Sequence, residues 1–121
     1  MGANDSVLKE SILDSIKHLL GITPDNTVFD SDIALHINSA LANLISMGVG
    51  PQEGYQIQSS ANVWSEFLGN EDPLLIQNAK TYVYIKVKLI FDPPINSAVI
   101  EAFNAQAKEI EYRVYTQKGG Y

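Results

Sequence analysis

The side chains of this chain that could perform acid–base or metal chemistry are few and far apart in the sequence. The two histidines, His18 and His36, fall in separate predicted helices, and there is no cysteine. Asp32 stands one helical turn before His36, but one imidazole and one carboxylate are fewer than the protein ligands of a zinc site. His36 is therefore predicted to be a partly buried structural residue. His18 is predicted to be a solvated partner of a helix C-terminus.

The acidic pairs do not assemble a catalytic site either. Asp30 and Asp32 flank a predicted helix start, where capping accounts for both. Glu109 and Glu111 stand two apart on a predicted helix, so their side chains point in different directions. The sequence also has no G-x-S-x-G, phosphate-binding glycine loop, H-E-x-x-H or calcium loop. The chain is therefore predicted not to be an enzyme and to use no cofactor or metal.

The charge balance argues against nucleic acid as the main partner. The chain has 14 acidic and 8 basic residues and a net charge of -6, whereas phosphate binding needs clustered Lys and Arg. On a helix Lys86 and Lys88 lie about 160° apart, so they form one patch only if their segment is a strand.

Length and composition predict one globular domain over residues 1–121. The apolar fraction of 45% lies above the range of disordered chains. The first residues lack the basic and apolar regions of a signal peptide. No apolar run approaches the ~18 residues of a membrane span, so no membrane association is expected.

Hydrophobic periodicity predicts an all-α fold, a small bundle of four to five helices. The first helix is predicted from Asn4 or Asp5 to Leu20, with Lys17 on its polar face. The second is predicted from Asp30 or Ser31 to Gly48. A short helix over residues 62–68 follows.

The stretch from Asp72 to Tyr115 is predicted to form two long helices. Asp72-Pro73 is a strong helix start, with a capping residue before proline. Residues 82–89 also alternate and are rich in β-branched and aromatic side chains, which favours a strand. A strand here would have only residues 55–58 as a partner, and a lone two-stranded ribbon is marginally stable. The helix is therefore preferred.

The last helix is predicted to begin after the tandem prolines Pro93-Pro94, with Asn96 as its cap. Its predicted buried face comprises Val99, Ile100, Phe103, Ala107, Ile110 and Val114. Residues 116–121 are predicted to be a mobile, flexible C-terminal tail.

Residues 48–60 are predicted to form one long glycine-containing loop. Connections of this length without regular structure are uncommon and often carry binding, although a plain surface loop is the alternative. The segment Tyr55-Gln56-Ile57-Gln58 alternates apolar and polar residues and predicts a short extended piece. Because Tyr55 and Ile57 would be awkward to leave in water, they are expected to pack on this molecule or on a neighbour.

The chain resembles the tailed-phage head-tail connector family, also called head-completion or adaptor proteins. An acidic and apolar first helix begins the resemblance, and the Phe-Asp-Pro-Pro turn is its most specific piece. The resemblance covers nearly the whole chain and rests on structural segments: Phe29-Asp30-Ser31-Asp32-Ile33, Leu41 to Gly48, Gly48-Val49-Gly50-Pro51, Trp64 to Gly69, Lys80-Thr81-Tyr82-Val83-Tyr84, Phe91-Asp92-Pro93-Pro94 and Glu109-Ile110-Glu111-Tyr112-Arg113.

This resemblance implies a structural virion protein, made in the bacterial cytoplasm and located at the head–tail interface. It implies a homo-oligomeric ring, usually twelve-fold, beneath the portal protein, with a free subunit that can be monomeric. The ring would extend the channel through which DNA passes without specific binding, and would present a surface to the next tail-side connector or stopper protein. A ring needs a segment that reaches a neighbour, and the candidate interface residues are Tyr55, Ile57 and Tyr121.

Two alternatives from other functional classes stay open at the level of sequence. One is a small helical DNA-binding protein that recognises DNA for packaging, which would need a basic recognition helix. The other is a cytoplasmic helical interaction domain with no role in a virion.

Overall fold

The computed structural model describes residues 7–69 and 71–119. Five helices with defined bounds lie in this part of the chain: α1 (Ile12–Leu19), α2 (Asp30–Ser46), α3 (Trp64–Leu68), α4 (Pro73–Phe91) and α5 (Ser97–Gln117). Residues 7–9 are also helical, and no β-strand occurs among the described residues. The all-α prediction is confirmed. With residues 7–9 the described residues contain six helical segments, whereas four to five were predicted.

Helix α4 is the centre of the fold. It packs most extensively against α2 and next against α5. Asp72 accepts a hydrogen bond from the Leu75 N–H at 3.0 Å, and Pro73 occupies the first turn, as predicted. Residues 82–89 belong to this helix, so the preference for helix over strand is confirmed. A helix that is covered on several sides buries residues all round it. Its apolar residues therefore need not keep to one helical face, and their order in the sequence can alternate as in a strand.

The predicted first helix is interrupted at Glu10-Ser11. Ser11 caps α1 by accepting a hydrogen bond from the Asp14 N–H at 3.1 Å. The chain before α1 instead pairs with the chain before α3. The Ile12 N–H donates to the Asn62 carbonyl at 3.0 Å, and the Trp64 N–H donates to the Glu10 carbonyl at 3.1 Å. One continuous helix would forfeit these bonds, which hold α1 and α3 together.

The predicted solvent-facing position of Lys17 is wrong, because its side chain is fully buried. Its Nζ lies 2.8 Å from Asp30 Oδ1 and donates to the Pro24 carbonyl at 3.1 Å. Oδ1 accepts no well-aligned hydrogen bond, so the contact with Asp30 is an ion pair. A buried ammonium needs such partners. Through them, Lys17 joins the end of α1 to the start of α2.

Helix α5 is buried only over its second half. Ala107, Ile110 and Val114 are in the core, as predicted. Val99 is 40% exposed, which contradicts its predicted burial. The first turns of α5 directly follow the connection from α4, residues 92–96, at the end of the bundle. Fewer elements are available there to cover them.

The C-terminal segment is more ordered than its polar composition suggests. Helix α5 continues to Gln117 instead of ending before Thr116, and Gln117 donates to an Asp72 carboxylate oxygen. Lys118 pairs with Glu71 at 2.9 Å. These contacts tie the end of α5 to the start of α4. The rest of the predicted tail, residues 120–121, lies outside the described residues.

Candidate interaction surface

The residues predicted as candidates for chemistry are dispersed in the structure. His18 is exposed in the last turn of α1, and His36 is half-buried on α2, as predicted. Glu109 pairs with Arg113 on the surface at 2.5 Å, away from Glu111. In residues 7–69 and 71–119, no three His, Asp or Glu side chains lie close enough together to hold a metal ion.

Tyr82 anchors a polar network between α2, α4 and α5. Its side chain is fully buried, and its hydroxyl donates to Glu111 Oε2 at 2.7 Å. Asn43 Nδ2 donates to the same hydroxyl at 3.3 Å. Burial, and then the hydrogen bond to Glu111, raise the pKa of Tyr82 well above its usual value. The phenol therefore stays protonated at neutral pH and acts as a bridge between helices.

A cleft of about 450 Å³ lies beside this network. Tyr112 and Tyr115 present exposed rings to it, being 63% and 40% exposed. The Nζ of Lys86 lies 5.9 Å from the centre of the Tyr82 ring and adds a positive charge nearby. We call this site the tyrosine cleft and define it by Asn43, Met47, Lys108, Glu111, Tyr112 and Tyr115.

Two of the three predicted interface residues lie in the described part of the chain, and both pack on the chain's own core. Ile57 is 3% exposed and belongs to the chain's own core, which is one of the two fates expected for it. Tyr55 is partly buried, its ring is 5.7 Å from that of Phe67, and its hydroxyl donates to Glu66 at 2.7 Å. Tyr121 lies outside the described residues.

Large apolar side chains are exposed at the end of the bundle where the α1–α2 and α4–α5 connections lie side by side. The rings of Phe29 and Phe91 meet edge to face, with centroids 5.5 Å apart, and so join these connections. Val28 is 80% exposed, Ile90 is 60% exposed and Ile95 is fully exposed. We call Val28, Phe29, Ile90 and Ile95 the apolar end. Grouped apolar exposure of this kind is typical of a surface that binds another protein.

Acidic residues flank the apolar end along the chain, and we call them its acidic border. Asp25 and Asp32 lie close in sequence to Val28, and neither forms an ion pair within the described chain. Hydrogen bonding from the Thr23 side chain lowers the pKa of Asp25, which keeps it charged. Asp92 adjoins the same end and is paired with a lysine of α4 at 2.8 Å. A partner for this surface must therefore combine apolar contact with tolerance of negative charge.

Hydrophobic periodicity does not identify the apolar end, because its members lie in turns and at helix ends. Val28 precedes the start of α2, and Ile95 follows Pro93-Pro94 just before the Asn96 cap. The available signal is a large apolar residue inside a segment that is otherwise rich in turn formers. Such a residue is exposed unless the turn folds back onto the core.

The chain matches the family model described as phage connector protein over residues 12–120. The chain belongs to the phage connector protein family. The matched segment includes all five defined helices, the apolar end and the tyrosine cleft. No curated protein and no solved structure matches the chain.

Membership in this family indicates a component of the phage virion that interacts with other head and tail proteins. It is a family of structural proteins rather than enzymes. None of the described helices of this connector is long and apolar enough to cross a membrane.

Proposed function

We propose that this connector forms a homo-oligomeric ring at the head–tail interface, directly beneath the portal protein. The ring extends the DNA channel and presents the attachment surface for the next tail-side connector or stopper protein. The observation that carries this proposal is the family match, which extends over residues 12–120.

The exposed surface of the subunit supports assembly. A monomer leaves Val28, Ile90 and Ile95 largely in water, and burying apolar surface contributes about 25 cal/mol per Å² before the costs of association. The core beneath these residues is a single cluster centred on α4. The subunit therefore has a rigid body that can carry a defined contact surface.

The charge of the chain suits a channel through which DNA moves. A net charge of -6 repels phosphate, so DNA would pass along such a ring without being held by it. Attachment to the portal and to the tail would then depend on surface shape and apolar contact.

The test is addition of the purified connector to phage capsids that carry the portal and lack the connector. We expect cryo-electron microscopy to show an added ring of density below the portal. Capsids assembled without portal are the control and should gain no density. Folded connector that leaves portal-bearing capsids unchanged, at a large molar excess, would contradict the proposal.

A further inference from the structure

The apolar end and the tyrosine cleft lie towards opposite ends of the bundle. The apolar end projects beyond the start of α2 and the end of α4, with Ile95 fully exposed. The tyrosine cleft is concave and lies beside the last turns of α2, with Met47 at its edge, and the second half of α5. No residue belongs to both surfaces, so one subunit can use both at once.

We propose that the apolar end of one subunit inserts into the tyrosine cleft of the next, so that its partner is a second copy of this chain. This inference rests on the proposed ring and deepens it by naming the contact between neighbouring subunits. Tyrosine rings provide large apolar faces with a polar edge and are enriched at protein interfaces. Tyr112 and Tyr115 therefore suit an inserted isoleucine.

Charge distinguishes this pairing from contact between two apolar ends. Two apolar ends placed face to face would bring Asp25 and Asp32 of one subunit against the same residues of the other, and like charges in an interface are costly. In the cleft, Lys108 forms no ion pair within the described residues. Lys86 lies nearby over the Tyr82 ring. Glu111 keeps its negative charge while it accepts the Tyr82 hydroxyl, so these two lysines outnumber it by one. The acidic border thus meets available positive charge.

The two surfaces also fit the symmetry of a ring. A contact between different patches on identical subunits is head-to-tail, and it closes into a ring when the rotation between neighbours divides a full turn. A contact between two copies of one patch stops at a dimer.

Cysteine cross-linking tests the contact cleanly, because the connector has no cysteine of its own. Three variants are needed: Ile95→Cys at the apolar end, Tyr112→Cys at the cleft, and the double variant. Each is treated with a short bismaleimide, both free at high concentration and bound to portal-bearing capsids. Circular dichroism checks that each variant folds. Both positions are exposed, so neither substitution is expected to disturb the core.

We expect the double variant to give a ladder of dimers, trimers and larger products. A mixture of the two single variants should stop at the dimer, and each single variant alone should remain monomeric. A mixture of Leu74→Cys and Tyr112→Cys is the matched control, because Leu74 is 65% exposed but lies at the start of α4, away from the apolar end. That mixture should give no dimer.

Dimers from Ile95→Cys alone would overturn the inference, because they would show apolar ends in contact with each other. Capsids that gain a ring while the double variant shows no ladder would also overturn it, and the proposed function would stand. If portal-bearing capsids gain no density with the wild-type protein, the proposed function fails. A ladder in free solution would then still support head-to-tail contact between copies.

Discussion

At the scale of single residues, Gly50 and Gly21 share a backbone conformation but differ in their surroundings. Their φ angles are +84° and +82°, a region that residues with a Cβ rarely adopt. A Cβ at Gly50 would lie 2.5 Å from Cε1 of Phe67, whereas a Cβ at Gly21 would meet no atom within 4 Å. Gly50 therefore allows the connection after α2 to approach the buried ring of Phe67.

Gly50→Ala is predicted to destabilise the connector by more than Gly21→Ala. The left-handed conformation costs about 1–2 kcal/mol in both variants. Overpacking against Phe67 adds about 1–3 kcal/mol to Gly50→Ala alone. Denaturant unfolding followed by circular dichroism measures both changes. Equal losses in the two variants would show that the Phe67 contact relaxes without cost.

The buried phenol of Tyr82 predicts a loss of stability at alkaline pH. Burial and the hydrogen bond to Glu111 raise its pKa in the folded protein, while the unfolded value is about 10. Its contribution is therefore fully present below pH ~10 and is lost as pH rises from there towards the folded pKa, at about 1.4 kcal/mol per pH unit.

Tyr82→Phe is expected to reduce this alkaline slope by about one proton. At pH 7 the same variant should be less stable by about 1–2 kcal/mol, because Glu111 and Asn43 lose a partner. Urea midpoints between pH 8 and 11 separate the two effects. A slope identical to that of the wild type would mean that the phenol ionises in the folded protein as it does in the unfolded chain.

At the scale of elements, the side chain of Asn38 holds the extended segment around Ile57 against α2. Its Oδ1 accepts from the Ile57 N–H at 2.8 Å, and its Nδ2 donates to the Ile57 carbonyl at 3.2 Å. One amide thus satisfies both backbone groups of a residue whose side chain is in the core. Helix α2 thus supplies, through Asn38, the hydrogen bonds that a neighbouring strand would supply to this segment.

Asn38→Ala is predicted to cost about 1–3 kcal/mol, because it leaves backbone groups of Ile57 without a partner. It should also release residues 55–58, which hydrogen exchange detects as faster exchange of the Ile57 amide. Ser39→Ala, at an exposed position of the same helix, is the control and should be close to neutral. Unchanged Ile57 exchange in Asn38→Ala would show that the side chain of Ile57 alone anchors the segment.

Local sequence signals determine some of these elements, and contacts between distant residues determine others. Periodicity predicts α2, α4 and α5, and the caps Asp72 and Asn96 mark where α4 and α5 begin, because they bond to the adjacent backbone. The predicted capping by Asp30 or Asp32 is wrong: the N-cap of α2 is Phe29, without a side-chain hydrogen bond. The break at Ser11 depends on hydrogen bonds to residues 62 and 64, which no local pattern reveals. The burial of Lys17 depends on Asp30 and Pro24 in the same way.

At the scale of the whole molecule, the arrangement of charge separates the connector from a DNA-binding protein. Within the described residues, five of the eight basic side chains are in ion pairs with carboxylates. The remaining three are Lys9, Lys86 and Lys108, and Lys86 already lies over the Tyr82 ring. With so few available cations and a net charge of -6, no surface of the described chain can neutralise a run of phosphates.

The purified connector is therefore predicted not to bind duplex DNA at physiological salt. Fluorescence anisotropy of a short labelled duplex should show no saturable change up to roughly 100 µM connector, the weak limit of non-specific binding. The same titration at low salt is the more demanding measurement, because it strengthens whatever attraction exists. Saturable binding that weakens steeply with added salt would require a cationic surface that the described ion pairs do not leave. It would favour the DNA-packaging alternative over a passive channel.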